Sequence, residues 1–413
     1  MSTSSAQRRI SQLATLTAVH RAFHWLHLHQ PQLRQWLLEI VRIPAPPFGE
    51  STRAAWFLDR FQQLGLTNNH LDDAGNVLAE LDSDSSSPDT PCILLSAHLD
   101  TVFPPGTPTE PIEEKNSPRI YAPGICDNTA GLTGLLAIAA ALRYAKITPP
   151  IPILFSANVG EEGEGDLRGM RHLFERGPYR TRIAAAIALE GSGSSAVVTR
   201  ALGSLRFRIT ITGPGGHSWA DAGTLNPILL LSQALTQIAA LPLPTEPLTT
   251  INVGHISGGT SINSIPESAT ALLDIRSTDP AHLTATATAV HHIFDETITP
   301  HTTQKTITPP KLHIETIGNR PAAALPDDAP ILHTLRAVDR HLTLRTEPRL
   351  GSTDANIPLS RGIPAIAIGA GGQGGGIHTL QEWYDPTGRE TALRRILLTL
   401  LDTLDTTANS NPT

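Results

Sequence analysis

Short apolar runs that each end in polar residues dominate the first half of the chain and return near its end. Residues 92–97 stop at His98, and residues 151–157 stop just before the polar stretch 158–162. Residues 183–189 end at Glu190, and residues 364–368 lead through the glycine-rich segment 369–376 to His378. Runs this short and apolar on both faces predict strands buried on both sides of an α/β sheet. An alanine- and leucine-rich stretch over 128–144 predicts a long helix between the first two. Alternation of this kind is the pattern of a sheet covered by helices.

Upstream, residues 1–15 read as a loose Ser/Thr-rich lead. Leu16, Val19, Phe23, Leu26, Leu33, Leu37 and Ile40 then recur at helical spacing, with a predicted break at Pro31. Pro44, Pro46, Pro47 and Gly49 predict a loop, and residues 51–64 a further helix. Residues 82–91 carry turn chemistry between two strands, and the polar tail from Asp402 onward is expected to fray. Residues 205–318 have a different texture. Strands are predicted over 205–212, 249–256, 269–275 and 311–317, and helices over 226–241 and 280–297. The order β-α-β-β-α-β is that of a split βαβ module. It interrupts the sheet-forming runs, so the predicted domains are 1–204 and 319–413 for a catalytic part and 205–318 for an insertion. The predicted fold class is α/β, a mixed sheet covered by helices, with an inserted α+β module.

Composition narrows the function classes. At 413 residues the chain has room for two to three domains of about 150 residues, and its 40% hydrophobic content supplies a core. Lys+Arg 31 against Asp+Glu 38 gives a net charge of −7, with no basic excess to neutralise phosphates, which argues against a nucleic-acid partner. Cys92 and Cys126 are the two cysteines, too few for a disulfide framework and suited to a reducing compartment. No stretch approaches the ~20 apolar residues of a membrane span, and residues 1–12 lack the apolar core of a secretion signal. The expectation is a cytoplasmic chain without a membrane partner.

In open α/β sheets, ligands bind beyond the carboxyl ends of the strands. Four apolar runs here deliver His98, Glu161 and Glu162, Glu190, and His378 to such ends, and Asp127 falls at the start of the long helix, where Asn128 could cap it. Two imidazoles and several carboxylates cannot be buried bare, because desolvation and like-charge repulsion oppose it. Divalent cations resolve the conflict, and mixed N/O ligation suits Zn²⁺, Mn²⁺ or Co²⁺ better than Ca²⁺. Two dications against Asp127, Glu162 and Glu190 leave one positive charge for a bridging hydroxide. Glu161 is then spare to take a proton from the water and return it to a leaving amine. Asp100, two residues after His98, is placed to hold the free N–H of its ring.

These motifs resemble the M20 metallopeptidase family of co-catalytic zinc hydrolases, which includes glutamate carboxypeptidases, aminoacylases, acetylornithine deacetylase-like and desuccinylase-like enzymes, and peptidase T. The resemblance rests on HLD at 98–100, GICDNTAG at 124–131, NVGEEG at 158–163, ALEG at 188–191 and IHT at 377–379, with IPAPPFGES at 43–51 similar to the family's opening segment. It implies a zinc-peptidase-like catalytic domain in which His98 and Glu190 bind one metal, Glu162 and His378 the other, and Asp127 bridges. Glu161 would be the general base and Asp100 the orienter of His98. The insertion would be a lid or dimerisation domain, implying a homodimer. His217, in GPGGHS at 213–218, would reach the substrate or oxyanion, Asn263 would contact substrate, and Arg276 would bind a substrate carboxylate. A Glu at position 190 is typical of carboxypeptidase and acylase types, whereas GSTDAN at 351–356 and the glycine-rich stretch look more like peptidases. The implied substrate is a small peptide, with an N-acyl amino acid as the alternative.

Other readings compete. A serine hydrolase would need an elbow, and residues 216–220 lack the final glycine of G-x-S-x-G. A non-catalytic binding protein could use the same cleft. His20, His24 and His27 stand at chelating spacing on a helix, yet no carboxylate or cysteine joins them, so they read as a solvated face, as do His291 and His292. Cys126 reads as a small buried thiol.

Overall fold

The apolar runs fold as strands: Cys92–His98 and Ile153–Asn158 are buried at every position, and Ile183–Leu189 at all but one. They lie in a nine-stranded mixed sheet. Its order is Thr67–Leu71, Val77–Leu81, Ile153–Asn158, Cys92–His98, Ile183–Leu189, Ala365–Ile368, Ala196–Ala201 and Ala323–Ala324, with Glu347–Gly351 alongside Ala196–Ala201. The four central strands run parallel, with His98 opposite Asn158 and Leu189 opposite Ile368. Their carboxyl ends therefore emerge side by side, where a ligand site is expected.

This computed structural model describes residues 3–83, 87, 89–302 and 308–410. It divides into one unit formed by Met1–Ala201 with Ala324–Thr413 and another formed by Leu202–Ala323. Within 82–91, residues 84–86 and 88 lie outside the described ones.

Several expectations for the first unit are corrected. The lead is not loose: Thr3–Ala14 is a helix whose Ala6, Ile10, Leu13 and Ala14 are buried, and it packs against the helices Pro330–His341 and Arg389–Ser410. The tail does not fray from Asp402, because Arg389–Ser410 is one helix with Asp402, Thr403, Leu404 and Thr406 buried; residues 411–413 lie outside the described ones. The break expected at Pro31 falls at His29, and Pro31 sits in the first turn of Gln30–Val41, where proline costs no hydrogen bond. The long helix begins at Gly131, not 128, and runs to Ala145. One run, Ile125–Ala145, does reach the length and hydropathy of a membrane span, contrary to the sequence reading, and 94% of its most apolar window is buried inside the protein. A helix apolar all round is what such a core position requires.

A second, four-stranded sheet was not anticipated. Its strands, Gln373–Gly375, Trp383–Asp385, Ile120–Tyr121 and Ile112–Glu113, have only two or three residues each. It pairs Trp383 with Tyr121 and so ties the segment after His378 to the segment before Asp127. Gly374 is required at that point, since a Cβ there would overlap Cys126 Sγ.

Charged groups also fasten this unit internally. Arg395 is fully buried and makes a two-bond pair with Asp339, 2.6 and 2.9 Å, while also donating to the carbonyls of Ala196 and Ser195. Removing one partner of such a pair strands a buried charge and costs about 3–5 kcal/mol. Arg395→Ala is expected to lower the stability of the protein by that amount, read from the midpoint of urea unfolding; an unchanged midpoint would contradict it.

The second unit is the β-α-β-β-α-β module. Its sheet order is Thr249–Gly258, Ser268–Ser277, Gly203–Thr212, Lys311–Arg320, antiparallel throughout. Pro227–Ala239 and Pro280–Thr302 pack on it over a core that includes Phe207, Ile209, Leu231 and Phe294. The first of these helices starts where Asn226 accepts hydrogen bonds from the Ile228 and Leu229 N–H groups, an N-cap readable from sequence. A two-residue ribbon, Gly216–His217 against Ser264–Ile265, extends from the module.

Candidate metal centre

The strand ends bring His98, Asp127, Glu162, Glu190 and His378 together in the first unit. His98 is buried, with Nε2 3.1 Å from Asp127 Oδ1 and 3.3 Å from Glu190 Oε1. His378 Nε2 lies 2.9 Å from Glu162 Oε1 and 3.2 Å from Asp127 Oδ2. The two oxygens of Asp127 thus face one imidazole each. Within each of three sets, His98–Asp127–Glu190, Asp127–Glu162–His378 and His98–Glu161–Glu162, the candidate ligand atoms lie within 4.8 Å of one another. Glu161 therefore borders the same cluster.

Buried side chains hold the segments that carry Asp127, Glu161, Glu162 and Glu190. Asp100 faces the Nδ1 side of the His98 ring, where the sequence reading put it. Its backbone carbonyl stands 3.0 Å from His98 Nδ1, with the carboxylate 3.6 Å away. That carboxylate also accepts the backbone N–H groups of Glu161 and Glu162 at 2.9 and 2.7 Å. Arg53, also buried, donates to the carbonyl of Leu99 at 2.7 Å. Asn128 does not cap the helix. It is non-helical, and its side chain donates to the carbonyl of Leu189 at 2.9 Å and accepts from Gly191 N–H at 3.0 Å, clasping Glu190 from both sides. Glu382, which sequence reasoning missed, accepts from the backbone N–H of Gly124, Cys126 and Asp127 at 3.0, 2.8 and 2.8 Å. Its one sequence signal was an acidic residue four positions after His378.

The electrostatics follow from crowding. Burial acts to lower the His98 pKa, but its acidic neighbours Asp100, Asp127 and Glu190 outweigh that and raise it well above the ordinary value. Hydrogen bonds to Asp127 and Glu162 raise His378 to about 10. Burial alone would raise Asp127, yet the bonds to His378 and His98 hold it well below the usual carboxylate range. Burial pushes Glu190 up to about 7, with His98 opposing and the charges of Asp127 and Asp354 adding to the rise. Burial likewise pushes Glu382 up to about 7 against its three N–H donors. This concentration of negative charge pushes both imidazoles toward protonation. A divalent cation would neutralise the same charge in place of protons. Glu190 Oε2 is buried with no hydrogen-bond partner among the described residues, which leaves a lone pair for a cation. Two imidazoles and three carboxylates form a donor set that fits zinc-like ions.

The remaining candidates belong to the second unit. His217 and Asn263 meet on the short ribbon, where Ser218 N–H donates to the Asn263 carbonyl at 3.0 Å. His217 Nδ1 faces the N–H groups of Trp219 and Ala220 at 3.2 and 3.3 Å. It is therefore the acceptor nitrogen, and the neutral ring carries its proton on Nε2. Arg276 pairs with Asp274 of its own strand at 2.6 Å, so its guanidinium is already engaged. Ser218 follows a two-residue strand in a turn, with no strand-to-helix elbow. His20, His24 and His27 are exposed, as are His291 and His292, and Cys126 is buried.

The family model described as Peptidase family M20/M25/M40 matches residues 94–404. Among curated relatives, acetylornithine deacetylase of Yersinia pseudotuberculosis is 28% identical over 242 residues, covering 54% of this chain. The match spans 59% of that relative's length. Among solved structures, a tripeptidase from Staphylococcus aureus is similar in fold, with a TM-score of 0.72 and 22% identity over 90% of this chain and 98% of that one. A Bacillus subtilis protein described as a dinuclear metal binding peptidase from the M20 family has a TM-score of 0.64 and 15% identity, covering 91% and 98% of the two chains.

Proposed function

Because the chain belongs to peptidase family M20/M25/M40, we propose that it is a two-metal hydrolase of a peptide bond. The observation that carries this reading is Asp127, whose carboxylate oxygens face His98 on one side and His378 on the other. His98 and Glu190 would hold one ion, Glu162 and His378 the second, and Asp127 both. Bound there, two ions would polarise the scissile carbonyl and make a water nucleophilic at neutral pH. Glu161 takes the proton of the attacking water and hands it to the leaving amine. Its backbone N–H on Asp100 keeps it at the cluster. Asp100 thus serves by fixing the Glu161–Glu162 peptide and, through its carbonyl, the His98 ring.

The finer points of the proposal are these. The ions are zinc, with Co²⁺ or Mn²⁺ as substitutes, which the mixed N/O donors support. His217, with its proton on Nε2, donates to the oxyanion, and Asn263 beside it contacts substrate. Arg276 reads a substrate carboxylate only by sharing itself with Asp274. The inserted module pairs two copies through its edge strand Thr249–Gly258, which is exposed along most of its length. Two buried free cysteines support a reducing, cytoplasmic setting. A second reading, hydrolysis of an N-acyl amino acid, is favoured by the relative named acetylornithine deacetylase.

A mixed library of dipeptides, tripeptides and N-acyl amino acids, offered with Zn²⁺, Co²⁺ or Mn²⁺, tests the proposal. Peptides are expected to be cleaved fastest, with loss of activity on phenanthroline treatment and none on a serine-reactive phosphonate. Faster cleavage of N-acyl amino acids selects the second reading. Full turnover after the metals are stripped rejects both.

A further inference from the structure

We propose that Glu382 is a positioning residue that sets the place of the Asp127 carboxylate between the two ions, an inference that rests on the two-metal reading above.

Asp127 and Asn128 interrupt the start of the long helix, with φ, ψ of −111°, 95° and −129°, 31°. The N–H groups at such an entry have no partner within the helix. Three of them, on Gly124, Cys126 and Asp127, converge on the Glu382 carboxylate, which is fully buried. One oxygen accepts both Cys126 and Asp127, and the other accepts Gly124. The backbone from which the Asp127 side chain springs is thereby held from one point. Glu382 is itself fixed, since its carbonyl accepts from Ala122 N–H and its own N–H donates to the Thr379 carbonyl, both at 3.1 Å. It lies four residues after His378, so one side chain joins the loop of that ligand to the loop of the bridging ligand. A carboxylate accepts all three donors, whereas an amide must turn its NH₂ group toward at least one of them.

The test measures Co²⁺ stoichiometry and affinity by calorimetry, together with the visible absorption spectrum of the Co²⁺-loaded protein. Wild type is expected to take two ions per chain; failure there defeats the two-metal reading itself. If wild type takes two, Glu382→Gln is expected to remain folded by circular dichroism. It should bind at least one ion about 10–100-fold more weakly, with an altered Co²⁺ spectrum. Glu382→Asp, which keeps the charge, should recover part of that affinity. Unchanged affinities and an unchanged spectrum in folded Glu382→Gln overturn the proposal. Should Glu382→Gln not fold, Glu382→Asp decides by the same two readouts. Loss of fold in both variants also overturns it, because the carboxylate then serves the fold as a whole.

Discussion

Glu161→Ala is expected to keep the fold and both metal ions while turnover falls by about 10²–10⁴-fold, the usual share of a general acid–base residue. The separation follows from how the residue is held. Its backbone N–H is fixed by Asp100 at 2.9 Å, and the neighbouring Glu162 N–H by the same carboxylate at 2.7 Å. Neither bond involves the Glu161 side chain. Truncation to alanine therefore leaves Glu162 where it meets His378, and the proposed ligand set is intact. The measurement is kcat on the best peptide of the library, beside metal content per chain. Near-normal kcat with two ions bound would remove Glu161 from proton transfer. Loss of the metals would make it a ligand instead.

The contrast between Glu161 and Glu382 marks what the sequence could and could not disclose. His98 and Glu190 end apolar runs long enough to be recognised as strands, and parallel pairing puts both endings on one edge, while His378 lies beyond the run 365–368, past the short strand Gln373–Gly375. That reading needs only periodicity and the rule that sites form at strand ends. Glu382 depends on strands of two or three residues, which are too short to leave a period. Its partners are backbone N–H groups, and these have no sequence signature at all. Spacing places Asp100 beside the His98 ring, but it does not disclose that its carboxylate also holds the Glu161 and Glu162 N–H groups.

The two termini were misread for a related reason. In Thr3–Ala14 the buried Ala6, Ile10 and Ala14 stand at helical spacing, but serine and threonine around them mask the stripe. At the other end, buried threonines satisfy their hydroxyls within the helix, Thr403 on the Thr399 carbonyl at 2.7 Å and Thr406 on that of Asp402 at 2.8 Å. A threonine that bonds back one turn behaves as an apolar residue toward its surroundings. Asp402 in turn is held by Arg9, so a helix that looked dispensable anchors one that looked frayed. Polar letters alone therefore underestimate how much of a chain can be buried.

Asp127→Asn is expected to have the largest effect on the centre. The substitution keeps shape and volume but gives the side chain one acceptor oxygen and one NH₂ donor, whereas the native residue presents an oxygen to each imidazole. Whichever way the amide turns, one side meets a donor in place of an acceptor. The negative charge that helps lift His378 to about 10 is removed as well. A His pKa raised by a carboxylate falls when that carboxylate is neutralised, so the His378 titration in metal-free protein should move downward toward the ordinary value. Metal binding should fall by more than the ~10–100-fold typical of outer partners, with stoichiometry dropping from two ions per chain to one or none and peptide hydrolysis lost with it. Calorimetric titration with Zn²⁺ and NMR titration of the imidazoles measure both parts. Two ions bound at wild-type affinity in Asp127→Asn would show that the carboxylate bridges nothing, since a shared ligand cannot be halved without cost to at least one of the ions it joins.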